Sequence, residues 1–228
     1  MNPNYGDSPY IKRGFQVDSK RLFYSDEKIA LKKLTSVVAG YGILEAGTVL
    51  GKITESTSRK DMYVPYAIQA PTAGLDFVGG AYLLADGASD TTLLQVTQED
   101  SYKFAVGDHI AAVDSDATPI DCGAIVAIDR TTYSNKATIQ IAETSMAAIT
   151  VAAGGMIFIQ TQTTTPFSNA VGILIEGVDT GTGENAVGGQ GGVVFSNAIL
   201  YKGLIQNYDS GALTDLGATT DGQYLILK

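Results

Sequence analysis

Histidine and cysteine occur once each in this chain, and charged residues fill only 17% of its 228 positions. Each shortage removes a class of function. With Cys122 alone, internal disulfides and cysteine-based zinc sites are excluded. Its neighbours Ile120, Asp121, Gly123, Ala124 and Ile125 read as strand, which predicts a buried, inert thiol and not a nucleophile. His109 alone gives a hydrolytic triad or a histidine-rich metal site little to work with. It follows Gly107-Asp108 at a strand start and reads as a surface or packed residue. No apolar run reaches the roughly 18–20 residues that cross a bilayer. The start, Met1-Asn2-Pro3-Asn4-Tyr5-Gly6-Asp7, is polar and lacks the charged and apolar regions of a secretory signal. The expectation is a protein made and used in solution, with no membrane partner.

The remaining chemical signals are equally thin. Asp114-Ser115-Asp116 and Asp179-Thr180-Gly181 look like calcium loops only superficially; neither fits the twelve-residue ligand pattern ending in Glu, so both read as turns. Gly188-Gly189-Gln190-Gly191-Gly192 is followed by neither Lys-Ser/Thr nor a helix signal, so it is no phosphate cradle. No carboxylate spacing singles out a glycosidase pair. A Gly-Thr-Val-Leu hairpin also occurs in lipoyl and biotinyl carriers, but those place the modified lysine at the tip of a tight hairpin, in Asp-Lys-Ala or Met-Lys-Met. Lys60 has neither context. We expect no catalytic, cofactor-binding or metal-binding residues, and no enzyme activity.

What is present begins with charge asymmetry. The net charge is −9, yet residues 1–60 carry ten Lys/Arg against six Asp/Glu, and the rest is strongly acidic. An acidic body repels nucleic acid, so direct binding of DNA or RNA is not expected. Lys12, Arg13, Lys20, Arg21, Lys32 and Lys33 are either simply solvated or dock on an acidic protein surface.

Hydrophobic residues make up 45% of the chain, enough for a folded core. Thr, Val, Ile, Gly and Ala dominate, and short apolar runs alternate with Gly, Asp, Asn and Ser clusters; this pattern predicts a mainly β, mostly antiparallel fold. Residues 1–34 read as an extended amino-terminal arm with aromatics at Tyr5, Tyr10, Phe15, Phe23 and Tyr24. Arms of this kind bury too little alone and order on a partner. Ser25-Asp26-Glu27-Lys28 offers a weak cap for a helical turn or two through Leu31 or Leu34, with entry into a strand equally open. Residues 36–54 read as strand, turn at Glu45-Ala46-Gly47, strand, and Pro65 places residues 63–67 at an edge or a strand start. Residues 74–162 read as a second, inserted β-barrel of about five short strands, autonomous and projecting, with a short helix over 143–154. Residues 170–179 form a strand, residues 180–192, with six glycines, a loop, and residues 192–205 one or two more strands. Residues 209–217 form a short helix with an acid cap and a terminal glycine, and residues 224–227 a closing strand.

Ala39-Gly40-Tyr41-Gly42-Ile43-Leu44-Glu45-Ala46-Gly47-Thr48-Val49-Leu50-Gly51, Tyr63-Val64-Pro65-Tyr66, and Ala170-Val171-Gly172-Ile173-Leu174-Ile175-Glu176-Gly177-Val178-Asp179 follow one another in a familiar order. With Gly192-Val193-Val194-Phe195 and the segments 198–205 and 212–217, this order resembles the lambda-type head decoration (cement) proteins of tailed phages. It covers about residues 35–70 and 166–228, under half the chain. Two features depart from that family: roughly ninety residues intervene before the Gly-Ile-Leu strand, and the amino-terminal arm is long. The resemblance implies a small β-barrel, β-tulip-like core (35–73 and 163–228) carrying the inserted barrel (74–162). It implies a homotrimer at three-fold and quasi-three-fold positions on the outer surface of the virion capsid, made in the host cytoplasm and partnered by the major capsid protein. The arm residues expected to bind the capsid are Lys12, Arg13, Phe15, Lys20, Arg21, Phe23 and Tyr24. Such a protein clamps neighbouring capsid subunits and stabilises the expanded shell by mass action. The alternative readings are a receptor- or glycan-binding virion protein on a fibre or tail, a tail-tube protein, and a carbohydrate-active or other enzyme.

Overall fold

Apolar residues stand next to each other in the strands of this chain: Val49-Leu50, Ile173-Leu174, Val193-Val194. Neighbours in a strand point to opposite faces, so such pairs belong to sheets covered on both sides. The computed structural model describes residues 22, 31–56, 58–68, 78–86, 92–115, 119–142, 149–161, 168–196, 198–217 and 224–227. Among them the strands are β1 (Leu31–Val37), β2 (Ile43–Leu44), β3 (Val49–Lys52), β4 (Tyr63–Pro65), β5 (Gly80–Tyr82), β6 (Leu93–Thr97), β7 (His109–Val113), β8 (Ile120–Asp129), β9 (Lys136–Ile141), β10 (Met156–Ile159), β11 (Ala170–Leu174), β12 (Val178–Asp179), β13 (Gly189–Ser196), β14 (Ala198–Tyr201) and β15 (Tyr224–Leu227). The fold is mainly β, as the residue pattern predicts.

Five strands close into a barrel in the order β1-β13-β11-β3-β4, and the parallel contact Val37 to Tyr63 completes the ring. β3 and β11, far apart in sequence, pair antiparallel with Val49 opposite Ile173 and Leu50 opposite Gly172. The wall is covered on both faces. Leu50, Leu174 and Val193 enter one core cluster, whereas Val49, Ile173 and Val194 enter another with Leu22, Leu200, Ile205 and Leu216.

Residues 80–159 supply a six-stranded sheet in the order β5-β10-β7-β8-β9-β6. It is a half-barrel and not a closed barrel: β5 and β6 are its edges, and among the described residues the Leu84 N–H, just past β5, donates to the Gln95 carbonyl of β6 at 2.8 Å. Nor does it stand apart. Ile110, Ile157 and Ile159 share one buried cluster with Val37, Tyr41, Leu50 and Val64 of the barrel. The expected projecting insert is therefore packed on the barrel through a common core.

Other expectations shift locally. Residues 31–34 belong to barrel strand β1, so the arm does not extend to residue 34, and the helix considered through Leu34 is strand there. Leu22 is buried in the second cluster. The glycine-rich run 180–192 is loop only in part, because Gly189–Gly192 pair with β1, Val37 opposite Gly189 and Leu34 opposite Gly192. A Cβ on Gly191 would lie 2.6 Å from Leu174 Cδ1 and 2.8 Å from Val178 Cγ2, so neighbouring side chains already fill the space. Turns occupy residues 151–154 of the expected helix over 143–154; residues 143–148 lie outside the described residues. The carboxy-terminal helix α1 (Ser210–Asp215) forms as expected: the Asp209 side chain accepts from the Ala212 N–H at 2.8 Å, and Gly217 has φ +62°.

Candidate binding surface

Between β1 and β2 the chain turns back on itself at Gly40 and Gly42, with φ of +94° and +67°. The turn is stitched to the end of β12. The Gly40 N–H donates to the Thr180 carbonyl at 3.0 Å, and the Gly42 N–H to the Gly181 carbonyl at 2.9 Å. The buried Thr180 hydroxyl accepts from the Tyr41 N–H at 3.0 Å and donates to the Gly42 carbonyl at 2.8 Å. With both ends fixed, β2 pairs with β12, Ile43 opposite Asp179. Leu44 points into the core and Ile43 outward, 53% exposed.

Val187 faces it. Its N–H donates to the Thr180 carbonyl at 2.9 Å, and its side chain is 61% exposed. Between these two apolar lips runs a groove of about 380 Å³, lined also by Gly42, Asp179, Gly181, Thr182 and Asn185. Asp179 turns one carboxylate oxygen back to the Gly181 N–H at 3.0 Å, the turn chemistry expected of that segment. Glu184, exposed on the 3₁₀ turn Gly183–Asn185, and Glu99, beside Gly183, add negative charge at the rim. On the other side of Ile43 lies a second cleft of about 480 Å³, with Glu45, Ile68, Val78, Gln206 and Tyr208 in its wall. Ile43 is thus a ridge between two depressions.

A different part of the barrel carries the basic residues. Lys52 Nζ lies 2.6 Å from Asp61, which occupies a left-handed turn at φ +70°. The hydrogen bond from Lys52 holds the Asp61 carboxyl below its usual range, and Lys60 and Lys33 add to the effect. Lys52 thus contacts this exposed carboxylate, and the charges of Lys60 and Lys33 act on it as well. They make a locally positive patch on a chain whose net charge is −9.

The seam between the two units is polar and buried. Arg59 donates to Asp108 Oδ2 at 3.1 Å and to the Lys103 carbonyl at 2.7 Å. Ser56 Oγ donates to Asp108 Oδ1 at 2.8 Å, and the Ala105 N–H to Oδ2 at 2.8 Å. His109 Nδ1 sits 3.5 Å from Glu55, partly exposed. These groups saturate one another and fasten the β3–β4 loop to the second sheet. Their arrangement is that of a joint.

Lys12, Arg13, Phe15, Lys20, Arg21, Phe23 and Tyr24 lie outside the described residues. The Ile43 groove is not among the sites expected from sequence: Ile43 lies in an apolar hairpin, and only the pairing of β2 with β12 turns it outward. Its signal in the sequence is the pair of glycines flanking Tyr41. Comparison of the chain with family models, curated proteins and solved structures gives no match in any of the three.

Proposed function

We propose that this chain is a structural decoration protein of a tailed-phage head, seated as a homotrimer on the outer surface of the expanded capsid. One observation carries the reading. The separated segments on which the resemblance rests, residues 39–51, 63–66, 170–179 and 192–195, supply strands to one closed barrel and to the β2–β12 pair beside it. A compact decoration core interrupted by a long insert would fold in this way. The charge pattern supports the orientation: the basic amino-terminal residues and the Lys33–Lys52–Lys60 patch face the shell, and the acidic remainder faces solvent.

The mechanism is clamping. A protein that binds only the expanded arrangement of capsid subunits stabilises that arrangement by mass action, against outward pressure from packaged DNA. Three linked protomers add avidity without requiring a single strong contact. The arm residues on either side of Leu22, namely Lys20, Arg21, Phe23 and Tyr24, meet the shell through charge and strand addition. Heads lacking decoration should rupture at higher temperature once the chain is added. Unchanged rupture, or labelled protein on the tail, would favour a fibre-associated, receptor-binding role.

A further inference from the structure

We infer that the Ile43–Val187 groove is a protomer-to-protomer docking site, occupied by residues 11–17 of a second copy of this chain. The inference deepens the trimer reading and requires no capsid. Ile43 and Val187 are among the most exposed large hydrophobic side chains described, and they stand on opposite lips of one groove. Isolated exposed apolar residues are ordinary; these two line one depression beside an acidic rim.

The occupant follows from charge and from where the chain is anchored. The rim carries Asp179, Glu184 and Glu99. A chain this acidic repels most of its own surface, so a second copy must offer a basic segment there. Ile11-Lys12-Arg13-Gly14-Phe15-Gln16-Val17 supplies two positive charges, no negative charge and three apolar side chains. Alternating side chains of an extended strand point to opposite sides, so this segment, bound as a strand, would turn Phe15 and Val17 to the apolar lips with Arg13 on the same face.

Leu22 fixes the start of the path. It is buried in the cluster that contains α1 and β14, whereas the groove opens over the other cluster, beside the second sheet. From Leu22 to Val17 the chain spans roughly 17 Å when extended, and the trapping experiment separates a neighbour's groove from the protomer's own. This is a head-to-tail contact, the type that closes into rings. Lys20, Arg21, Phe23 and Tyr24, on either side of the Leu22 anchor, remain for the shell.

Disulfide trapping in the free, full-length protein tests this. Chains carrying Phe15→Cys are mixed with chains carrying Val187→Cys under mild oxidation; Cys122 is buried and stays out of the reaction. The expected product is a mixed disulfide dimer, at least several-fold above that formed by Phe15→Cys with the exposed control Leu93→Cys, and diminishing as salt rises. Equal yields at both positions would overturn the proposal. So would a chain carrying both cysteines that closes on itself at a rate independent of concentration, because the occupant would then be its own arm. Failure here leaves capsid binding untouched, since that is measured separately on shells.

Discussion

Arg59, on the loop between β3 and β4, reaches into the second sheet and donates to the buried Asp108 carboxylate at 3.1 Å. Burial pushes the Asp108 carboxyl up from its ordinary value, and Arg59, the Ala105 N–H and the Ser56 hydroxyl oppose that rise. A carboxyl raised in the folded state contributes stability that is full below its unfolded value of 3.8 and is lost as pH rises through the folded value. Arg59→Ala removes the strongest counterweight and moves the folded value further up. The variant should lose about 3–5 kcal/mol at neutral pH, because a buried charge is left uncompensated. Its urea midpoint should also fall with rising pH over a wider window than that of the parent chain. Parallel midpoint-versus-pH curves would show that Arg59 does not compensate Asp108.

Gly40 meets the second unit at backbone distance. A Cβ there would lie 2.7 Å from the Tyr102 carbonyl carbon and oxygen, and the residue holds φ +94°. Gly40→Ala should destabilise the protein by about 2–4 kcal/mol through strain and a forced shift of the joint. Gly203→Ala meets nothing within 4 Å and should stay within about 0.5 kcal/mol in the same thermal melt.

β13 offers a finer comparison between neighbours. Gly191→Ala should cost about 1–3 kcal/mol, because Leu174 and Val178 occupy its Cβ position. At Gly192 the nearest atom, Ile175 Cδ1, is 3.7 Å away, so Gly192→Ala should be neutral or stabilising by about 0.4–1 kcal/mol through the unfolded chain. The two chemical denaturation midpoints should move in different directions. If they fall equally, the glycines serve backbone flexibility and not packing.

Cys122 is buried, and burial, with Asp121 nearby, pushes its thiol up to about 12. At mildly alkaline pH almost none is thiolate, and thiol reagents attack the thiolate. Native protein should resist an aromatic disulfide reagent for hours and react at once in urea. Fast labelling of the native protein would place Cys122 on a locally opening segment.

The sequence was legible where residue type dictates local chemistry. Asp209 caps α1, Gly217 ends it, and Glu45-Ala46-Gly47 turns between β2 and β3, with the Thr48 N–H donating to the Glu45 carbonyl. It was misleading where tertiary packing overrides local preference. Gly189–Gly192 read as loop, yet the small residues make room for Leu174 and Val178 beneath a paired strand. The joint between the units was hidden because Arg59 and Asp108 are far apart in sequence, and neither has a local signature. The outward turn of Ile43 depends on its pairing with Asp179 across most of the chain.

Co-sedimentation with expanded, undecorated capsids tests most directly whether this chain binds the shell. The full-length protein should pellet with the shells saturably, at a stoichiometry that is a multiple of three per binding position. It should be absent from pellets of unexpanded shells. Replacing Lys20 and Arg21 together with Ser should weaken that binding by about 0–2 kcal/mol, at about 0–1 kcal/mol for each exposed pair, with the loss shrinking as salt rises. Protein that stays in the supernatant at every concentration, or that binds both shell states equally, would contradict the account.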